Sequence, residues 1–500
     1  MTNYYICIHG HFYQPMRADP WLEVVAPQAS AYPFHDWNAR IAEECYAPNA
    51  ASRILDGDGR VQETVNNYAR ISFNFGPTLL GWLKKERPDV YRAILAADRE
   101  SRERLSGHGS AMAQAYSHVI LPLANQRDKR TQICWGIKDF AYHFRRYPEG
   151  MWLPEAAVDL ETLDMLAEEG LKFTLLSPHQ AKRVCHPDTR EWQAVTGGRI
   201  DSTQPYLLRL PSGRTISLFF YDAPLAQDVA FNGLLSNGDV FASRLLGAFA
   251  PQSSGPQLVH VITDGETYGH HHRHGDMALA YAIRRIEAEG RVRFTNYGAF
   301  LEEHPPTHEV EIIERSSWSC AHGIERWRSN CGCNSSGRPE WNQEWRAPLR
   351  EALDWIRDML APQYEEAARP LLRDPWVARD AYIEVVLDRS PAAWRKFLAE
   401  QGVRELSEDE KNTVIGLLEL QRHAMLMYAS DGWFFDEISR PETVQILRHA
   451  ARVLELSQDL FGDDLEECFL ERLECARSNL PDKCDGRFIY EQMVRRNRAS

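Results

Sequence analysis

The sequence predicts an α/β fold in two parts, a parallel α/β barrel followed by an α-helical domain. Short β-branched or apolar runs at 4–8, 71–75, 150–153, 173–177, 216–221 and 259–263 alternate with helical stretches, the pattern of parallel strands joined by crossover helices. Three of these runs end in polar, titratable residues, and the carboxyl ends of barrel strands are where such folds carry functional groups. Beyond about residue 340 the apolar period becomes helical and no comparable strand signal follows.

The first run, Tyr5-Ile6-Cys7-Ile8, leads into His9-Gly10-His11-Phe12-Tyr13-Gln14-Pro15. The polar stretch Arg60 to Asn67 reads as an excursion between barrel elements, and Asn74-Phe75-Gly76-Pro77 as a strand-end loop bordering a cleft. In Gly150-Met151-Trp152-Leu153-Pro154-Glu155, Pro154 ends the strand ladder, and the stripe Leu163, Leu166, Ala167, Leu171 marks a helix stopping at Gly170. Glu155 therefore lies on a strand-to-helix loop. Gly197-Gly198 to Thr203 is a second excursion, and Ala250 to Pro256 a cluster of turns. Val259 to Thr263 is a buried strand, which leaves Asp264 and Glu266 at its carboxyl end, ahead of His270, His271, His272 and His274. A helix follows Asp276, with Leu279, Ala282, Ile283 and Ile286 on one face and Gly290 as its stop. In the C-terminal part Trp345, Leu349, Ala352, Leu353 and Ile356 share a helix face, and Ser407 with Glu410 forms a capping box. The expected division is a barrel over 1–310, a cleft-bordering connection over 311–340 and a helical domain over 341–500, with Arg495 to Ser500 frayed.

The 500 residues are 44% apolar and 26% charged, with a formal net charge of −14, ample for a large core and more than one domain. That acidity argues against nucleic acid or anionic lipid as a partner, since phosphate binding needs concentrated Lys and Arg; Arg145-Arg146 and Arg495-Arg496 read as solvated helix ends. No run of about 18 apolar residues and no signal-like N-terminus occurs, so a cytoplasmic protein is expected, with its 10 scattered cysteines mostly reduced. Oligomeric state is not encoded in any visible motif.

Taken in order, the histidine/Gln-Pro element, Trp152-Leu153-Pro154-Glu155 and Asp264-Gly265-Glu266-Thr267-Tyr268-Gly269 resemble the short signatures of glycoside hydrolase family 57. His118, in Ala115-Tyr116-Ser117-His118-Val119-Ile120-Leu121-Pro122, is similar to that family's second element, a histidine before an apolar-proline run. The resemblance covers roughly residues 1 to 330, and Ser317-Trp318-Ser319-Cys320 to Arg328 resembles a subgroup that carries a C-terminal domain of uncharacterised function. It implies an incomplete TIM-like (β/α)7 barrel and a retaining glycosidase or transglycosylase acting on α-linked glucan or oligosaccharide, with no cofactor or metal. Glu155 would be the nucleophile and Asp264 the acid/base. Sugar contacts would come from His9, His11, Gln14, His118, Trp152, Glu266, His270 and Trp318. The family's His-Gln-Pro is spaced out here, with two residues between His11 and Gln14, so either His9 or His11 could face the sugar.

Retaining hydrolysis needs one ionised carboxyl to attack the anomeric carbon and one protonated carboxyl to release the leaving oxygen, about 5 to 5.5 Å apart. An ordinary aspartate titrates near ~3.9, and raising it by two units costs about 2.7 kcal/mol. Glu266, two residues on in an extended stretch, is the expected source of that shift for Asp264, aided by Glu155 and by burial against Trp152 and Tyr268.

Three other readings stand beside this one. His9 and His11 with Asp264 and the 270–274 histidines could hold a catalytic zinc, as in metal-dependent glycosidases and polysaccharide deacetylases on related barrels. Cys320, His322, Cys331 and Cys333 could form a structural zinc site, a disulfide or unpaired thiols, the single-residue spacings being poorer than the usual zinc pattern. A carbohydrate-binding protein that kept the barrel without turnover is the third.

Overall fold

A computed structural model describes residues 3–250 and 255–495. Residues 251–254 of the turn cluster, and Arg496 to Ser500 of the tail expected to fray, lie outside the described residues. The chain divides into two compact units. One comprises Met1–Gln14, Pro27–Gln114 and Phe140–Trp318; the other comprises Pro15–Ala26, Ala115–Asp139 and Ser319–Ser500.

The first unit is α/β, and its strands follow the apolar runs closely. We label them β1 (Tyr4–Phe12), β2 (Ser72–Phe75), β3 (Ala113–Gln114), β4 (Met151–Trp152), β5 (Phe173–Leu176), β6 (Thr215–Phe220) and β7 (Gln257–Asp264). β1 is central and buried on both faces, which explains its unbroken apolar character. It pairs in parallel with β7 along one edge and with β2 along the other. Further parallel contacts join Phe73 to Ala111, β3 to β4, Gly150 to Phe173, and β5 to β6. The helix Gly275–Glu289 buries Leu279, Ala282, Ile283 and Ile286 and ends at Gly290, whose φ of +67° is the left-handed conformation that favours glycine there.

The polar excursions contain structure that the apolar pattern does not reveal. Part of the first is an antiparallel hairpin, Ser52–Leu55 with Val61–Val65, whose second strand is exposed over most of its length and so lacks the alternation of a half-buried strand. The second lies between Trp192–Ala194 and Tyr206–Arg209, both members of a six-stranded mixed sheet that also takes in β5 and β6. Arg146 departs from its expected place at a solvated helix end. Its guanidinium donates to Asp98 Oδ1 at 2.7 Å and Oδ2 at 2.9 Å and to the Ala111 carbonyl at 2.8 Å, a bidentate geometry that anchors it against the protein.

The second unit is helical after residue 340. Arg346–Ala368 buries Leu349, Ala352, Leu353 and Ile356, and Glu408–Leu426 begins with the Ser407/Glu410 capping box. Trp135, Tyr364, Tyr382, Phe397, Leu417 and Leu418 belong to one of its apolar clusters. Among the described residues no helix is long and apolar enough to cross a membrane.

Candidate active site

Strand register brings polar residues to one level at the carboxyl end of the parallel strands. His11 is opposite Asp264 on one side and Asn74 on the other, and Gln114 is opposite Trp152. Beyond β7 the chain turns through Gly265 and Gly269. A Cβ on Gly265 would run into the Phe12 ring, and one on Gly269 would come within 2.5 Å of the Glu44 carbonyl oxygen. Close packing against β1 and the Ala42–Tyr46 helical turn thus requires both glycines.

A hydrogen-bonded relay sets the histidines. His9 is fully buried, with Nδ1 at 2.9 Å from Ser72 Oγ and Nε2 at 3.0 Å from Asn74 Oδ1. Asn74 Nδ2 donates to His11 Nδ1 at 2.9 Å and to Gln114 Oε1 at 2.7 Å. Since Asn74 Oδ1 can only accept, His9 donates from Nε2; since His11 Nδ1 accepts, a neutral His11 carries its proton on Nε2. Burial holds His9 uncharged, its pKa lowered to about 3. His11 stacks on Trp152 at 4.8 Å and on Tyr13 at 5.9 Å, and meets Trp318 edge-on at 6.4 Å.

Glu155 is half-buried and has φ +58° and ψ +19°, and Ala156 follows with φ +47°. Two successive non-glycine residues in this region store backbone strain of order 1–3 kcal/mol each, a cost that surrounding structure must offset. Trp318 does so from both chain and ring. Its backbone N–H donates to the Glu155 carbonyl at 3.0 Å, and its Nε1 donates to Glu155 Oε2 at 3.1 Å. Trp318 also packs edge-on against Trp152 at 4.9 Å and Tyr221 at 6.5 Å.

Asp264 has a pKa raised to about 7, first by desolvation and second by the negative charge of Glu155. Its side chain is nevertheless accessible to solvent. Exposure and desolvation coexist where a carboxyl faces a recess, reached by water yet surrounded by protein atoms. Glu266, the source of the shift expected from sequence, turns elsewhere. Its Oε1 accepts from Tyr46 Oη at 2.5 Å and from Tyr13 N at 3.1 Å, and desolvation raises its pKa to about 8. While Asp264 titrates, Glu266 is still largely protonated and exerts little repulsion; the repulsion falls on Glu266, whose pKa Asp264 helps to raise.

The remaining sequence-identified residues have hydrogen-bond partners of their own. Gln14 is buried, and its amide donates to the Tyr13 carbonyl at 3.0 Å. His270 is half-buried, with Nδ1 at 2.5 Å from Glu44 Oε2 and its ring edge-on to Trp37. His272 donates to the Ala230 carbonyl at 2.9 Å. His118 belongs to the second unit, where it is buried with Nδ1 at 2.7 Å from Ser430 Oγ. Gln114, Ser72 and Tyr221 join the site without having been singled out for it, and Asn74, expected in a loop bordering the cleft, lies buried within the strand Ser72–Phe75. The one sequence signal was Asn74 inside an apolar strand end, a polar side chain needing a buried partner.

The histidines proposed for a catalytic zinc are not assembled for it, since both ring nitrogens of His9 are engaged by Ser72 and Asn74 and His270 is paired with Glu44. Among the described residues, the His, Cys, Asp and Glu group with closely gathered ligand atoms is Cys320, His322, Cys331 and Cys333.

A profile for Glycosyl hydrolase family 57 matches residues 9–313, and one for a domain of unknown function (DUF3536) matches 341–500. The structure is similar to the exo-type maltose-forming amylase of Pyrococcus sp. ST04, with a TM-score of 0.64 and 14% identity over 99% of this chain and 93% of that one. It is also similar to the GH57-type branching enzyme of Pyrococcus horikoshii, with a TM-score of 0.57 and 16% identity over 99% and 95% of the two chains. At such identities the likeness is one of fold. Alpha-amylase 1 of Dictyoglomus thermophilum is 29% identical over 107 residues, which is 21% of this chain and 15% of that protein's length.

Proposed function

The chain belongs to glycosyl hydrolase family 57, and from that membership we propose that it is a retaining glycoside hydrolase or transglycosylase acting on an α-linked glucan or oligosaccharide. The observation that carries the proposal is a pair of carboxyls with unlike protonation: the charge of Glu155 beside an Asp264 whose pKa is raised to about 7. Glu155 attacks the anomeric carbon, and Asp264 gives its proton to the leaving oxygen. In the second half-reaction Asp264 takes a proton from the incoming water or sugar hydroxyl while the bond from the sugar to Glu155 breaks. Hydrolysis and transfer differ only in that acceptor.

β1 to β7 would be the strands of a (β/α)7 barrel within 1–310, with 311–340 bordering the cleft and 341–500 a helical domain. Register beside Asp264 favours His11 as the sugar-facing histidine, with His9 acting behind it through Asn74. Trp318, half-buried, offers an aromatic face, Trp152 is buried against the His11 ring that it positions, and Trp152 Nε1 and Gln114 Nε2 are buried donors without a protein acceptor, suited to sugar hydroxyls. Gln14, His118, Glu266 and His270 are further residues through which substrate would be held, directly or by way of their neighbours.

The test is to incubate the protein and its Glu155→Gln and Asp264→Asn variants with α- and β-linked glycans, with and without chelator, and to follow products by chromatography. Turnover of α-glucans that resists chelation and is lost in both variants is the expected result. Activity surviving in Glu155→Gln, or abolished by chelation and restored by zinc, would sink the two-carboxylate mechanism. Binding without turnover in the parent would identify a carbohydrate-binding protein instead.

A further inference from the structure

From Ser319 to Trp345 the chain contains a single short 3-10 turn, Glu325–Trp327, among the described elements. Ordered loops of this length are uncommon without a staple of their own. Four side chains from the first half of this loop converge. The ligand atoms of Cys320, His322, Cys331 and Cys333 all lie within 4.8 Å of one another, and all four belong to the second unit.

We infer that these four residues form a structural zinc site, with three thiolates and one imidazole as ligands. Two of the six ligand–ligand distances match the edges of a tetrahedron around zinc. Zn–S bonds of about 2.3 Å and Zn–N bonds of about 2.0–2.1 Å place two sulfurs ~3.8 Å apart and a sulfur and nitrogen ~3.6 Å apart. Cys320 Sγ and Cys333 Sγ are 3.9 Å apart, and Cys333 Sγ is 3.4 Å from His322 Nδ1. A disulfide would bring two sulfurs to about 2.05 Å, and none of Cys320, Cys331 and Cys333 is in one.

The backbone explains how single-residue spacings serve. Gly332, between Cys331 and Cys333, has φ +77°, and nothing lies within 4 Å of where its Cβ would be, so the glycine is needed for the tight turn and not for space. That turn lets the Cys333 N–H donate to Cys331 Sγ at 3.4 Å, an amide aimed at a sulfur that would carry negative charge. Gly323, directly after His322, makes the corresponding turn with φ +79°.

Charge balance agrees. Three thiolates and a neutral imidazole around a divalent ion carry one net negative charge. The Arg346 guanidinium, with no exposed surface, donates to Cys331 Sγ at 3.4 Å and to the Phe434 and Phe435 carbonyls. On binding, the three thiols release their protons to solvent and His322 contributes a lone pair from Nδ1. Through the Cys331–Arg346 hydrogen bond the site ties the first half of the loop to the start of the Arg346–Ala368 helix.

The test is metal content, which does not depend on any activity. The full-length protein, purified without chelator, is expected to hold one zinc per chain by elemental analysis. Cys331→Ser and Cys333→Ser should each lose most of it, and Glu155→Gln should keep it. Should those cysteine variants fold poorly, the parent supplies its own check: titrating native thiols with a mercurial should release zinc in step, and cobalt exchanged into the site should give thiolate-to-cobalt absorption with strong tetrahedral bands. Less than about a tenth of an equivalent of zinc after supplementation and gel filtration would overturn the site, as would a zinc content unchanged in both cysteine variants or a Cys320–Cys333 disulfide in anaerobically purified protein.

Discussion

The segment from Asp264 to His274 carries acids at its start and histidines at its end, and the structure treats the two ends in opposite ways. At its start, Asp264 and Glu266 are desolvated, and both hold protons to near or above neutral pH. At its end, His270 meets Glu44, whose carboxyl burial tends to raise but which hydrogen bonds from Arg40 and His270 bring below its ordinary pKa. Residue type alone does not decide the chemistry. A carboxyl beside another carboxyl in a recess becomes an acid, while a carboxyl between two nitrogen donors becomes one half of an ion pair.

The largest test of that contrast is loss of turnover. Asp264→Asn should lower kcat/KM by about 10²–10⁴-fold, the usual scale for removing a general acid–base group, and Glu155→Gln by at least as much. His270→Asn should change it by about tenfold or less, since its ring is already paired outside the relay. Equal losses at 264 and 270 would dissolve the distinction between the two ends. The same contrast predicts an alkaline limb, with activity declining as pH passes about 7, where Asp264 loses its proton. In Glu155→Gln the Asp264 titration, followed by NMR, should move to lower pH because the neighbouring charge is gone.

Next in size is the relay. Asn74→Leu removes the acceptor of His9 and the donor to His11 and Gln114, leaving buried polar groups that each cost about 1–3 kcal/mol. Stability should fall by that amount in urea titrations, and kcat by roughly tenfold as His11 loses its fixed tautomer and orientation. Asn74→Asp, which keeps the acceptor, should restore the His9 bond and not the other two. A variant as stable and active as the parent would remove the relay from the argument.

The strand ends and the acids behind them were legible because β-branched runs such as Val259 to Thr263 stop abruptly at residues with no apolar role, and the helices because their stripes and caps repeat. Gln114, and the partners of Asn74, escaped because a buried amide leaves no periodic trace, and its partners come from strands tens of residues away. The exposed strand Val61–Val65 escaped for a related reason, since it does not present the apolar alternation that marks a half-buried strand. The assignment of the Asp264 shift to Glu266 failed on direction. The two carboxyls do repel each other, but Glu266, bound by Tyr46 and Tyr13 and titrating above Asp264, receives that repulsion and does not exert it. Glu155, more than a hundred residues distant in the chain, supplies the charge.

The smallest effects are those on stability against pH, and their signs separate the two ends of the segment. Asp264 and Glu266 titrate higher in the folded protein than in the unfolded chain. What they contribute is present in full below about pH 4 and declines as the unfolded chain ionises; it is gone once pH passes about 7 for Asp264 and about 8 for Glu266. Asp264→Asn and Glu266→Gln should therefore each flatten the fall in Tm between pH 4 and 8, and Glu266→Gln keeps an oxygen for Tyr46 and Tyr13. Glu44 works the other way. Its lowered pKa stabilises the fold above the unfolded value and is lost as pH drops through the folded one. Glu44→Gln should cost about 0.2–1 kcal/mol near neutral pH, shrinking in high salt, because both partners are partly exposed. The difference from the parent should vanish under acid conditions, where the Asp264 and Glu266 contributions are at their greatest. If Glu44→Gln instead destabilised most at low pH, Glu44 would not be held ionised by Arg40 and His270, and the two ends of the segment would share one chemistry after all.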